Sequence, residues 1–227
     1  MNDIHSNWVR VQERVARAAE QAGRQPSQVS IVAVSKTRPI ESIQAALAAG
    51  VTDLGENRVQ EAAEKIPGIA TGHWHLIGPL QRNKAGKAVE LFDCIQSVDN
   101  LKLAQALARR ADEAGKILTI LAQVNTSGTE HQAGVAPEDL LELADEIHSS
   151  GSLRLTGLMT IAAFTPDTEE VRRCFRQLHT CQEQLAVARP SLDLSTLSMG
   201  MSGDFELAIE EGSTMVRIGT AIFGSRP

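Results

Sequence analysis

The sequence predicts a single (β/α)8 TIM barrel carrying an extra N-terminal helix, one domain over residues 1–227. Three observations predict it. Strand-like and helix-like segments alternate strictly, which argues for parallel strands joined by right-handed crossovers. Eight such units follow one another, a count that closes a barrel. No linker-like tract, low-complexity stretch or internal repeat interrupts them, and the hydrophobic fraction of 42% is enough for one sizeable core. An open doubly wound sheet is the competing arrangement, because one miscounted short strand would restore it.

The first helix covers 4–23: Ile4, Trp8, Val11, Val15 and Ala18 recur at helical spacing, and Gly23 suits the stop. The strands read as 29–35, 51–55, 73–78, 93–98, 117–125, 153–161, 194–198 and 214–219. Helices fall between them at 40–49, 57–66, 81–91, 100–114, 137–149, 168–188 and 204–211. In 168–188, Val171, Cys174, Phe175, Leu178, Cys181 and Leu185 line one face.

Composition excludes several function classes. A net charge of −6 disfavours nonspecific binding to nucleic acid or to an anionic membrane. Cys94, Cys174 and Cys181 form neither a CxxC pair nor an even disulfide set, so buried core thiols are expected. The charged N-terminus lacks an apolar signal region and no 18-residue apolar run exists, so a soluble cytoplasmic protein is expected.

In such a barrel the active site lies at the C-terminal ends of the strands. Those ends carry Lys36, Glu56, Asn57, Gly78, Ser97, Asn125, Met159, Thr160, Ser198 and Arg217. Lys36 closes "IVAVSKTRP", where apolar walls meet solvent. A lysine there either snorkels into water or commits its amine to chemistry. Of the lysines at 36, 65, 84, 87, 102 and 116, Lys36 alone ends a strand. "LSMGMSGD" places Gly200, Ser202 and Gly203 after the seventh strand, and "VRIGTAIFG" places Gly219 and Thr220 after the eighth. Those are the loops where barrels commonly bind phosphate, and Ser198, Ser202 and Thr220 could add hydroxyl donors. An amine and a phosphate site together suggest a phosphorylated carbonyl compound held as a Schiff base. The sixth strand carries no lysine, which weakens an aldolase reading. Arg217, in an apolar strand, needs an acceptor or an anionic partner, and an ion pair with Glu56 or Glu210 is the structural alternative.

The stretches "AVSKT", "GENRVQE", "WHLIGPLQRNK", "GLMTI", "LSMGMSGD" and "GSTMVRIGTAIFG" resemble the pyridoxal-phosphate homeostasis protein family, whose members look like the barrel domain of alanine racemase without its β-rich domain. The resemblance runs from about residue 4 to the C-terminus. It implies that Lys36 binds pyridoxal 5′-phosphate as a Schiff base, that Ser198, Gly219 and Thr220 hold the phosphate beside Gly200 and Ser202, and that Arg217 faces the pyridine nitrogen. A guanidinium donates and does not accept a proton, so the ring would be a poor electron sink. Racemases with such an arginine add a tyrosine as second base, and this chain contains no tyrosine. A cofactor-binding protein of vitamin B6 and amino-acid homeostasis is therefore expected over an enzyme with catalytic residues, with a low-activity racemase as the alternative. The family implies a monomer, and apo-enzymes that use the cofactor as recipients. Two departures from the family pattern are Arg58, where a tyrosine is common, and Gln132, where many relatives carry a lysine.

Asn57 either contacts the cofactor or caps the helix after it, and the rim it shares with Lys36 favours the contact. Other groups read as structural. His73 and His75 share a strand face but lack a third ligand, so no metal is expected there, although His75 could sit near the cofactor ring. Arg82, Lys84 and Lys87, and likewise Glu210 and Glu211, read as solvated helix surface.

Overall fold

The computed structural model describes residues 3–129 and 132–225. Its elements run α1 (Ile4–Gln21), β1 (Ser30–Val34), α2 (Ile40–Ala48), β2 (Asp53–Glu56), α3 (Val59–Lys65), β3 (His73–Leu76), α4 (Ala85–Leu91), β4 (Cys94–Val98) and α5 (Leu101–Glu113). They continue with β5 (Leu118–Gln123), α6 (Leu140–Ser149), β6 (Leu153–Met159), α7 (Thr168–Ala188), β7 (Thr196–Ser198), α8 (Phe205–Glu210), β8 (Met215–Ile218) and α9 (Thr220–Phe223). The eight parallel strands close as a barrel in sequence order, with β8 beside β1. The expected barrel and N-terminal helix are thus found, and the open sheet is excluded. The fold departs from expectation in detail: 3-10 turns at Arg82–Lys84 and Pro137–Asp139 precede α4 and α6, and the sequence pattern did not mark α9.

Strand residues alternate between two environments. Ala33, Leu54, Trp74, Leu76, Ile95, Ile120 and Val216 join the helices' inner faces in one continuous apolar layer. Inside the barrel, by contrast, the apolar cluster is small: Cys94, Leu121 and Met159. His75, Gln96, Gln123, Ser198 and Arg217 are all buried polar residues on these strands. Buried polar groups must find partners. Here they do: His75 Nδ1 lies 2.9 Å from Gln96 Nε2, Gln96 Oε1 accepts from Ser198 Oγ at 2.6 Å, and Arg217 donates to Ser198 Oγ at 2.7 Å. Cys94, Cys174 and Cys181 are free, buried thiols, and burial pushes Cys94 up to about 12.

The helices carry their own signals. Asp167 caps α7, its Oδ1 accepting from the Glu169 N–H at 2.9 Å and the Glu170 N–H at 3.4 Å. Asp167→Ala is expected to lower stability by about 1 kcal/mol, read as a shift in the urea midpoint at unchanged slope. On α1, Trp8, Val11, Val15 and Ala18 are buried, and Arg14 pairs with Glu206 at 2.5 Å while lying over the Phe205 ring. This helix packs against α8 and α9. Glu210 is exposed as expected and Glu211 is part-buried, and both pair with Arg172 of α7, at 2.9 Å for Glu211. Among the described residues no helix is long and apolar enough to cross a membrane.

Candidate functional site

Strand register brings the distant ends of the chain together at the C-terminal mouth. Val32 of β1 pairs with Arg217 and Ala33 with Ile218, so the loop at Gly219 and Thr220 stands beside the turn that carries Lys36. A Cβ on Gly219 would already lie 3.4 Å from both Val34 Cβ and the Val34 carbonyl oxygen. Arg38 ties the same turn to the chain after α9 by donating to the Gly224 carbonyl. On the other flank, the Arg217 N–H donates to the Gly200 carbonyl at 3.0 Å, and the Gly219 N–H donates to Ser202 Oγ at 3.2 Å. Lys36, Gly200, Ser202, Arg217, Gly219 and Thr220 therefore fall on three neighbouring strand ends. Gly200 has φ +96°, and a Cβ there would lie 2.6 Å from Ala208 Cβ, so glycine lets this loop pass close over α8.

Arg217 is not paired as the structural alternative required. Glu56 is engaged by Lys65 and Glu210 by Arg172, whereas the Arg217 guanidinium donates to Ser198 Oγ and, at 2.8 Å, to the Thr160 carbonyl. Burial pulls it down to about 10, so it stays protonated at neutral pH. Ser198 is fully buried beneath the loops, its hydroxyl shared between Arg217 and Gln96. Asn57 follows β2 directly under Gly78, where an added Cβ would meet the Asn57 carbonyl oxygen at 2.3 Å.

Sequence reasoning missed Lys65. The sequence places it on a helix with nothing to set it apart from the other helix lysines, yet it is buried and organises the turn bearing Lys36. Its Nζ donates to the Ser35 carbonyl at 2.9 Å, to Glu56 Oε1 at 2.8 Å and to Glu61 Oε1 at 2.6 Å. Ser35 Oγ also donates to Glu56 Oε1, at 2.7 Å, and Glu61 receives the Thr37 N–H. Thr37 has φ +63°, a left-handed conformation rare for a β-branched residue. Both neighbours of Lys36 are thus held by one cluster of charges. Burial raises the Glu56 carboxyl above the usual glutamate range despite Lys65 and Ser35. Burial acts the same way on Glu61, but there the hydrogen bonds from Lys65 and the Thr37 N–H win and the net shift is downward. The salt-bridge spacing of the i, i+4 pair Glu61–Lys65 was the available signal.

The remaining expectations divide. His75 is bonded to Asp53, His73 and Gln96. Gln132 donates to the Ile161 carbonyl while its own carbonyl accepts from Asn125 Nδ2 at 3.1 Å, linking the loops after β5 and β6. Its neighbours in "TEHQAG", Glu130 and His131, lie outside the described residues. Arg58 occupies the N-cap position of α3 without a side-chain capping bond, and lines a cleft with Asn57, Gln60, Gln81 and Lys84.

Residues 6–227 match the family described as alanine racemase, N-terminal domain. A protein of Pasteurella multocida named pyridoxal phosphate homeostasis protein is 44% identical, over 98% of this chain and 97% of its own length. The chain belongs to this family. The structure of PipY of Synechococcus elongatus with PLP bound superimposes with a TM-score of 0.82 at 40% identity, covering 92% of this chain and all of that one. Alanine racemase of Clostridium difficile, at 17% identity and a TM-score of 0.79, shares the barrel over 58% of its length. That last likeness concerns the fold alone.

Proposed function

We propose that this chain binds pyridoxal 5′-phosphate as a Schiff base on Lys36 and holds the cofactor for release, contributing to vitamin B6 and amino-acid homeostasis without efficient catalysis. The observation that carries the reading is the closure of β8 onto β1, which sets the Lys36 turn beside the glycine loops of the last two strands. The donor set fits a phosphorylated aldehyde. Lys36 supplies the amine, Ser202 and Thr220 the hydroxyls, and Gly200 and Gly219 backbone that an anion can approach. Asn57 completes the rim. When bound, the cofactor supplies an electrophilic aldehyde and an electron-withdrawing ring.

The chain's own residues bias that chemistry toward storage. Arg217, held by Ser198 and the Thr160 carbonyl, can only donate to a ring nitrogen. A pyridine nitrogen facing it would stay without a proton. No tyrosine stands in the chain to act as a second base. Ser198 serves here chiefly to orient Arg217, and the phosphate falls to the loops above it. Lys65, Glu56 and Glu61 fix the turn so that the Lys36 amine meets its partner from a preformed position. Recipients would be apo-enzymes that use the same cofactor.

Incubation with pyridoxal 5′-phosphate, borohydride reduction and peptide mass spectrometry tests the reading. One adduct on Lys36, lost in Lys36→Ala, is the expected result. Labelling scattered over the other lysines would return Lys36 to a snorkelling role. Racemisation of amino acids at ordinary enzyme rates, dependent on Lys36, would overturn the non-catalytic part.

A further inference from the structure

At the opposite, N-terminal end of the barrel, three side chains converge that the proposed cofactor site does not use. Asp53 opens β2 and His73 opens β3, and register pairs them directly. His75 follows two residues on, facing the same way. His73 Nδ1 lies 2.9 Å from His75 Nε2 and 3.3 Å from Asp53 Oδ1, and His75 Nε2 lies 3.0 Å from that same oxygen. The third ligand that the two histidines lacked in the sequence, Asp53, comes from the neighbouring strand.

We propose that Asp53, His73 and His75 bind a divalent first-row transition-metal ion, zinc foremost. Distances favour it. Three atoms bound to one such ion at about 2.0–2.1 Å stand about 2.9 Å apart at octahedral right angles and about 3.3 Å apart at tetrahedral positions. The observed triangle spans that range. Proton counting points the same way. Two neutral imidazoles bring at most two protons to its three edges, whereas one cation satisfies all three lone pairs at once.

The surroundings are built as a metal site requires. Asp53 Oδ2 accepts from Thr52 Oγ1 at 2.6 Å, leaving Oδ1 for the ion. His73 is half-exposed, so an ion has a path from solvent and a coordination position open to water. Asp93 adds negative charge nearby, since its carboxylate accepts the Trp74 N–H at 2.8 Å between the two histidines.

The test uses the full-length, tag-free chain without pyridoxal 5′-phosphate, so its outcome is independent of the cofactor reading. Co2+ is titrated in while its visible absorption is followed, Zn2+ is used to displace it, and retained Zn2+ is measured after dialysis. One equivalent per chain is expected, with affinity at least about tenfold weaker in His73→Ala and in Asp53→Asn. His73→Ala removes a half-exposed side chain and keeps the fold, so it decides the matter if Asp53→Asn proves unstable. Absence of retained metal, or equal retention by native chain and His73→Ala, would overturn the site.

Discussion

Lys65→Met is expected to lower the unfolding free energy by about 3–5 kcal/mol at neutral pH, because it strands a buried carboxylate without its cation. Glu56 is fully buried, and Lys65 supplies its nearest positive charge at 2.8 Å. Glu56 Oε2 is buried without a hydrogen-bond partner in the described structure, so the carboxylate has little else to lean on. The sign of the pH dependence follows from the two shifts. Glu56 already has a raised folded-state pKa, so the folded state favours its protonated form and loses stability as pH rises from the ordinary glutamate value through the raised one. Glu61 is lowered, so its contribution is present above the ordinary value and lost as pH falls. Removing Lys65 moves both carboxyls upward. The deficit of the variant is therefore largest above the folded pKa of Glu56 and shrinks in acid, where both are protonated in either protein. Urea unfolding at a series of pH values reads this directly. A deficit that stays constant with pH would assign the loss to packing instead of charge. The same variant should label more slowly at Lys36, since Ser35 and Thr37 lose their common anchor.

Gly157→Ala is expected to cost about 4 kcal/mol or more, and to reduce the yield of folded protein. Gly157 lies on β6 opposite Thr196 of β7. A Cβ there would stand 1.9 Å from the Thr196 carbonyl oxygen and 2.7 Å from its carbon, and its φ of +153° is itself unfavourable for an L side chain. The obstructing atoms are backbone, and β7 cannot retreat because it also pairs with β8. A closed barrel has no free edge through which to relieve the strain. Gly203→Ala makes the contrast: its Cβ would meet nothing within 4 Å, and a change within about 0.5 kcal/mol is expected. Equal midpoints for the two variants in thermal unfolding would refute the steric account.

Much of the fold was legible because it rests on local pattern. The apolar faces of α1 and α7 were readable from spacing, and Trp8, Val11, Val15, Phe175 and Leu178 are buried as that spacing requires. Short elements were harder. β7 has three residues and α9 has four, too few for a period to emerge, and α9 follows its strand with no intervening turn residue other than Gly219. Interior polar residues were also obscured. Gln96 carries no motif, and its partner Ser198 lies far along the chain; Lys65 offers only its i, i+4 spacing from Glu61, while Ser35 and Glu56 reach it through the fold.

By itself the sequence determined the alternation of eight strands with helices, and with it the rim on which Lys36, Asn57, Ser198 and Arg217 end their strands. Those features depend on hydrophobic period and on turn residues, which are properties of neighbours in sequence. Tertiary structure alone decided which rim residues meet. Closure of β8 onto β1 joins Lys36 to Gly219, and the polar barrel interior holds Arg217 through Ser198 instead of a carboxylate. It likewise set Asp53 against His73 and His75. Such pairings depend on register between strands, a long-range property that no local pattern encodes.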